Sequence, residues 1–297
     1  MWSFPNLEYL AIDLRNYCID DNIELTTFES MPKLRTVVLY QVVAYIDLNV
    51  DLPWAQLTSL SIEPITESLF RIVISECPAL ETGNFSIGCR EIDEELPIVD
   101  ITLTHLKTFS IQFAGESDPS IFDGIHFPAL DVFKSWDSSS FNWTAPEHIF
   151  RQLAPITTLS LTGYIDSLDR IDKMLCETKN VTTFEVGFAN GYEEVLKALT
   201  LGEEEREEVL LPKLDVLRVQ LCSNDHYEPS AVVDFVKMVA SRSPSGAAPF
   251  GVAPLQEVWV EEPVGPVNTL KTDLDAVPEQ WRHKTDRPQV RYEKREW

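Results

Sequence analysis

The sequence predicts an α/β fold built of stacked repeats, with a curved parallel sheet on a concave face and helices and irregular segments on the convex face. Three observations predict it. A short phrase, an apolar residue followed by others three and five positions on, returns along the chain, usually with a proline just ahead. Its first apolar position falls at 7, 34, 57, 80, 106, 130, 156, 181, 214 and 255, so the steps are 27, 23, 23, 26, 24, 26, 25, 33 and 41. The segments between phrases carry apolar residues at helical spacing, and no apolar stretch approaches the ~20 residues of a membrane helix.

Within each phrase the last two apolar residues alternate along a short strand and point to one face, while the first closes the turn entering it. A unit of this size cannot bury its apolar face alone, so units stack and share one extended core. The period is that of a leucine-rich repeat. Strands are expected within 7–12, 34–39, 57–62, 80–85, 106–111, 130–133, 156–161, 181–186, 214–219 and 255–260. The outer edge of the first is left without a partner strand. The return segments 66–77, 146–153, 165–176, 191–201 and 229–242 read as helices. Thr66 stands as cap to the first, and Val232, Val233, Phe235, Val236 and Val239 are expected to line one side of the last. Segments 20–30 and 41–51 read as irregular, with Ala44 to Leu48 alternating like an extra strand. The two long steps place their extra length in loops, one around the Glu203 run and one at Ser241 to Pro249, flexible by composition. The array is expected to occupy residues 1–260 in about ten repeats, and residues 261–297 to form a C-terminal cap or partly disordered tail.

The net charge of −24 over 297 residues opposes binding to a phosphate backbone or an anionic membrane, so neither nucleic acid nor membrane is an expected partner. Much of the acidity lies in Glu91 to Glu95 and Glu203 to Glu208, which lack the alternating pattern of a calcium loop and read as solvated connections. From Trp281 onward six basic residues face three acidic ones, and this tail can fold back on the acidic array. The five cysteines, Cys18, Cys77, Cys89, Cys176 and Cys222, are far apart and read as reduced, with no metal site. Met1 runs directly into the first repeat without a leader, so an intracellular, cytoplasmic or nuclear location is expected, and the sequons at Asn84, Asn142 and Asn180 read as chance matches.

Catalytic patterns do not occur: there is no nucleophile elbow, zinc-protease helix, phosphate loop or dinucleotide fingerprint, and the five histidines are scattered through different repeats. No enzyme and no cofactor are expected. Recognition is the better reading. Positions 2, 4 and 6 after the first apolar residue alternate away from the core onto the concave sheet. They give a small polar ladder of Thr36, Ser59, Ser61, Thr108, Ser110, Thr158, Ser160 and Thr183. Larger groups interrupt it: Tyr9, Tyr40, Lys134, Trp136, Glu185, Arg218, Gln220 and Trp259. Exposed aromatics and arginines carry most interface energy, so Tyr9, Tyr40, Lys134, Trp136, Glu185, Arg218 and Trp259 are the candidate partner-binding residues. The alternative is that the ladder reflects strand propensity and that loops or the tail cover the tryptophans.

The proline-led strands, the Leu52-Pro53-Trp54-Ala55-Gln56-Leu57-Thr58-Ser59-Leu60 phrase and the Cys77-Pro78-Ala79-Leu80 phrase resemble the repeat region of fungal F-box/leucine-rich-repeat proteins over about residues 1–260. The resemblance implies a protein-interaction module that selects substrates for a cullin ubiquitin ligase, reached through an F-box docked on a Skp-type adaptor. The F-box signature, of Leu-Pro-x-Glu-Ile-Leu type, does not occur here. Two readings follow: an adaptor whose F-box lies upstream of this chain, or a repeat-only scaffold without a ligase link.

Overall fold

A computed structural model describes residues 4–13, 31–40, 52–88, 100–113, 119–137, 147–163, 168–188, 192–202, 208–220, 229–262 and 289–294. The chain divides into two compact units, Met1–Gln152 and Leu153–Trp297. Each is α/β, with a parallel sheet and helices in the connections.

The first unit holds β1 (Tyr9–Asp13), β2 (Thr36–Tyr40), β3 (Ser59–Ile65), β4 (Thr82–Ile87), β5 (Ile101–Thr102), β6 (Thr108–Phe113), β7 (Ile125–His126) and β8 (Val132–Asp137), with helices α1 (Glu67–Ser75) and α2 (Glu147–Gln152). Strands β1, β2, β3, β4, β6 and β8 lie side by side in that order, and β5 pairs with β7 apart from them. The register puts equal phrase positions together: Tyr9, Thr36, Ser59, Thr82, Thr108 and Val132 form one row.

The prolines find their reason in the turns. Leu7 N donates to Phe4 O, Leu34 N to Met31 O, Leu80 N to Cys77 O and Leu130 N to Phe127 O, each closing a four-residue turn. Pro5, Pro32, Pro78 and Pro128 stand second in these turns, where a fixed φ near −65° is already the required angle. One carbonyl then joins each repeat to the next. Glu8 O accepts from both Arg35 N and Thr36 N, Arg35 O from Thr58 N and Ser59 N, and the pattern repeats at Thr58, Glu81 and Lys107.

Burial alternates along the strands, with Val37 and Leu39, Leu60 and Ile62, and Phe109 and Ile111 in the core. At Gly83 the inward position has no side chain. A Cβ there falls 2.8 Å from the Phe85 ring, and Phe70 meets Phe85 edge-on at 5.0 Å between centroids while Phe109 stacks on Phe127 at 5.3 Å. Aromatic rings thus fill the space that the glycine leaves. Among the described residues β1 pairs only with β2, and its Leu10 and Ile12 are half-buried where their counterparts in later strands are fully covered.

Helix α1 starts at Thr66, whose hydroxyl accepts from Leu69 N at 3.4 Å, and it buries Phe70, Val73 and Ile74. Arg71 is buried on the same helix. Its guanidinium donates to the carbonyls of Ser120, Ile121 and Asp123 at 3.0, 2.8 and 2.7 Å, and burial lowers its pKa. Gln152 serves β7 in the same way, donating to Ile125 O and accepting from Phe127 N.

The second unit holds β9 (Thr158–Gly163), β10 (Thr183–Phe188), β11 (Val216–Gln220), β12 (Glu257–Glu262) and β13 (Gln289–Lys294), adjacent in that order and parallel. Its helices are α3 (Leu168–Glu177), α4 (Tyr192–Leu199), α5 (Pro229–Ser241) and α6 (Pro244–Ala247). The turn and ladder pattern continues, with Pro212 second in the turn from Leu211 to Leu214 and Asp215 O accepting from Gln256 N and Glu257 N. Leu217, Val219, Val258 and Val260 are buried.

Two expectations are corrected here. Val233 is 53% exposed and stands off the expected side of α5, on which Phe235, Val236 and Val239 are half-buried; Asp234 and Met238 are buried, Asp234 paired with Lys197 of α4. The Ser241 to Pro249 stretch is not a flexible loop. The Ser243 hydroxyl caps α6 by accepting from Gly246 N, Pro244 suits its first turn, and a 3-10 turn follows at Ala248–Phe250. Segments 20–30 and 41–51, with the extra strand expected at Ala44 to Leu48, lie outside the described residues, as do the acidic run at Glu91 to Glu95 and Glu203 to Arg206. Tail residues 289–294 form a strand paired with β12.

Candidate recognition face

All seven candidate residues stand on strands at positions that alternate with the core. In the first unit Tyr9 opens β1 and is 57% exposed, Tyr40 closes β2 half-buried, and Lys134 and Trp136 lie half-buried on β8. Tyr9 and Tyr40 sit at opposite ends of their strands and are not brought together, whereas Lys134 and Trp136 share one face of one strand. Lys134 lies in a row with Ser61, Asn84 and Ser110, and Trp136 pairs in register with Gln112.

In the second unit three candidates are true neighbours. Glu185, Arg218 and Trp259 occupy one row across β10, β11 and β12. Arg218 is exposed and its guanidinium carbon lies 5.8 Å from the centre of the Trp259 ring, a cation–π stack. The Trp259 indole Nε1 donates to Glu257 Oε2 at 3.0 Å, which fixes the ring on the sheet. Gln220 ends β11, next to Glu261 in register.

In each unit the small polar ladder stands on the strand face that carries that unit's candidates, with one exception. Ser160 is 6% exposed, its short side chain lying in register beside the longer Glu185. Three residues outside the candidate set stand at equivalent positions, Glu63 and Asn84 in the first unit and Glu257 in the second. Asn84 donates through Nδ2 to Ser61 Oγ at 3.1 Å and to Glu63 Oε1 at 3.3 Å, while its Oδ1 is buried without a hydrogen-bond partner among the described residues. Turning the amide over puts oxygen against the Glu63 carboxylate, so the amide keeps this orientation. The counting rule that reached Trp136 reaches these three too; they escape a search for aromatics and arginines because each is a short or acidic polar group.

Cations on the helical connections are engaged elsewhere. A hydrogen bond from Lys197 to Asp234 raises the Lys197 pKa, and Lys179 is raised by its bond to Glu208. Among the described residues no group of three or more histidine, cysteine or acidic side chains is placed to hold a metal, and no helix is long and apolar enough to cross a membrane. Searches against protein-family models and against curated proteins find no match to the chain.

Proposed function

We propose that the chain is a leucine-rich-repeat solenoid whose polar sheet face recognises a protein, and that it acts as the substrate-recognition part of an F-box type adaptor of a cullin ubiquitin ligase. One observation carries the recognition reading: the Glu185, Arg218 and Trp259 row, where a guanidinium stacked on an indole stands exposed on a rigid parallel sheet. Flat surfaces with an immobilised aromatic and an arginine suit protein partners, since little rotamer entropy remains to be lost on contact. The link to a ligase rests on the resemblance of the proline-led phrases. The net charge of −24 favours a partner with a basic patch.

The test is photo-cross-linking in cells. A benzophenone amino acid replacing Trp136 or Trp259 should trap a protein, and one replacing Lys173 on α3 should not. Recovery of a Skp-type adaptor with the full-length protein supports the ligase link. Its absence, with a partner still trapped at 136 or 259, assigns the chain to the repeat-only scaffold reading.

A further inference from the structure

We propose that Arg218 is the seat for a single side-chain carboxylate on an extended, otherwise basic segment of the partner protein. This inference rests on the sheet-face reading above and adds the chemistry of the bound segment.

A guanidinium reads carboxylates because its planar fork offers two parallel N–H donors. An exposed arginine seldom uses that ability well, since its long side chain must first be immobilised. Here the immobilisation is built in. The guanidinium carbon lies over the Trp259 ring, 5.8 Å from its centre, a cation–π contact that narrows its freedom, and the indole is itself held by its bond to Glu257. Among the described residues the exposed guanidinium makes no hydrogen bond. The contrast with Arg71 and Arg242 is informative: both are buried, and each donates to three backbone carbonyls.

The surroundings define the rest of the segment. Glu185 lies beside Arg218 in register on one side and Trp259 on the other, with Glu257 two residues ahead of Trp259, opposite Val216 and bonded to the indole. A carboxylate seated on Arg218 therefore has the Glu185 carboxylate beside it and Glu257 on the same face of the next strand, which favour lysine or arginine next to it in the bound chain. A phosphate is the poorer fit. Its charge near −2 meets the neighbouring Glu185 carboxylate and a chain of −24 with one arginine to offset it.

The experiment is selection from a naive twelve-residue peptide display library with blocked C-termini, so that only side-chain carboxylates are offered. The baits are the full chain, Arg218→Ala, and Thr183→Trp, which places bulk on the same face without changing charge. The parent should select Lys/Arg-rich peptides sharing one Asp or Glu at a fixed place. Changing that residue to its amide should weaken binding at least tenfold on the parent and less than twofold on Arg218→Ala. Peptides that Thr183→Trp no longer binds, but that carry no fixed acid or lose as much on Arg218→Ala as on the parent, overturn the carboxylate seat and leave the sheet-face reading standing. Peptides that bind Thr183→Trp and Arg218→Ala as well as the parent overturn both.

Discussion

Arg242 Nε donates to the carbonyl of Leu199 at 2.7 Å, tying the residue after α5 to the end of α4 across 43 positions of chain. The same guanidinium donates to Leu210 O at 2.6 Å and Leu211 O at 3.1 Å. Leu211 has φ of +44°, costly for a branched side chain, and it opens the Pro212 turn into β11. Burial lowers the Arg242 pKa to about 10, still well above neutrality, so the charged fork persists and satisfies helix-end and turn carbonyls together.

Arg242→Ala should therefore destabilise the second unit by about 3 kcal/mol or more, because buried carbonyls lose charged donors. Arg242→Lys should recover only part of the loss, as an ammonium does not match the three-way fork. Urea unfolding followed by circular dichroism measures both.

Gly83→Val should cost more than Gly83→Ala. Even the alanine Cβ falls 2.8 Å from the Phe85 ring, and overpacking of this kind costs about 1 to 3 kcal/mol. Gly83→Ala with Phe85→Leu should regain stability relative to Gly83→Ala alone, which thermal unfolding of the single and double variants decides.

Cys77 is buried, and burial pushes its thiol up to about 12 from 9.0. The unfolded chain ionises this group first, so its contribution to stability is intact below about pH 9 and is lost as pH rises toward 12, at about 1.4 kcal/mol per pH unit at most. Cys77→Ala should show a shallower fall of stability over that range. At pH 8, iodoacetamide should label half-buried Cys176 in the native protein well before Cys77, as read by peptide mass spectrometry.

Much of this fold was legible because the phrase carries its own geometry. The three apolar positions of Leu57, Leu60 and Ile62 state where a turn closes and which way a strand faces, and each of the ten expected segments overlaps a strand that begins two residues after its first apolar position. What escaped lacks such a signal. Ile101–Thr102 and Ile125–His126 are too short to alternate, and β13 lies in a polar segment that takes its direction from pairing with β12. On α5 the helical spacing of Val233 matched its neighbours, yet the Asp234 to Lys197 pair and the fork of Arg242 set which side turns inward. The recognition residues were found by counting alone, but counting does not show that Arg218 stacks on Trp259, because Trp259 lies 41 residues away and meets it only through register.

Affinity for the partner trapped at position 259 by photo-cross-linking decides whether the polar sheet face of the second unit binds a protein. Isothermal titration should show Arg218→Ala and Trp259→Ala each weakening that affinity at least tenfold with circular dichroism unchanged, and Lys173→Ala on α3 leaving it within twofold. Full affinity in both face variants, with loss in Lys173→Ala, would place the partner on the helices and contradict the account.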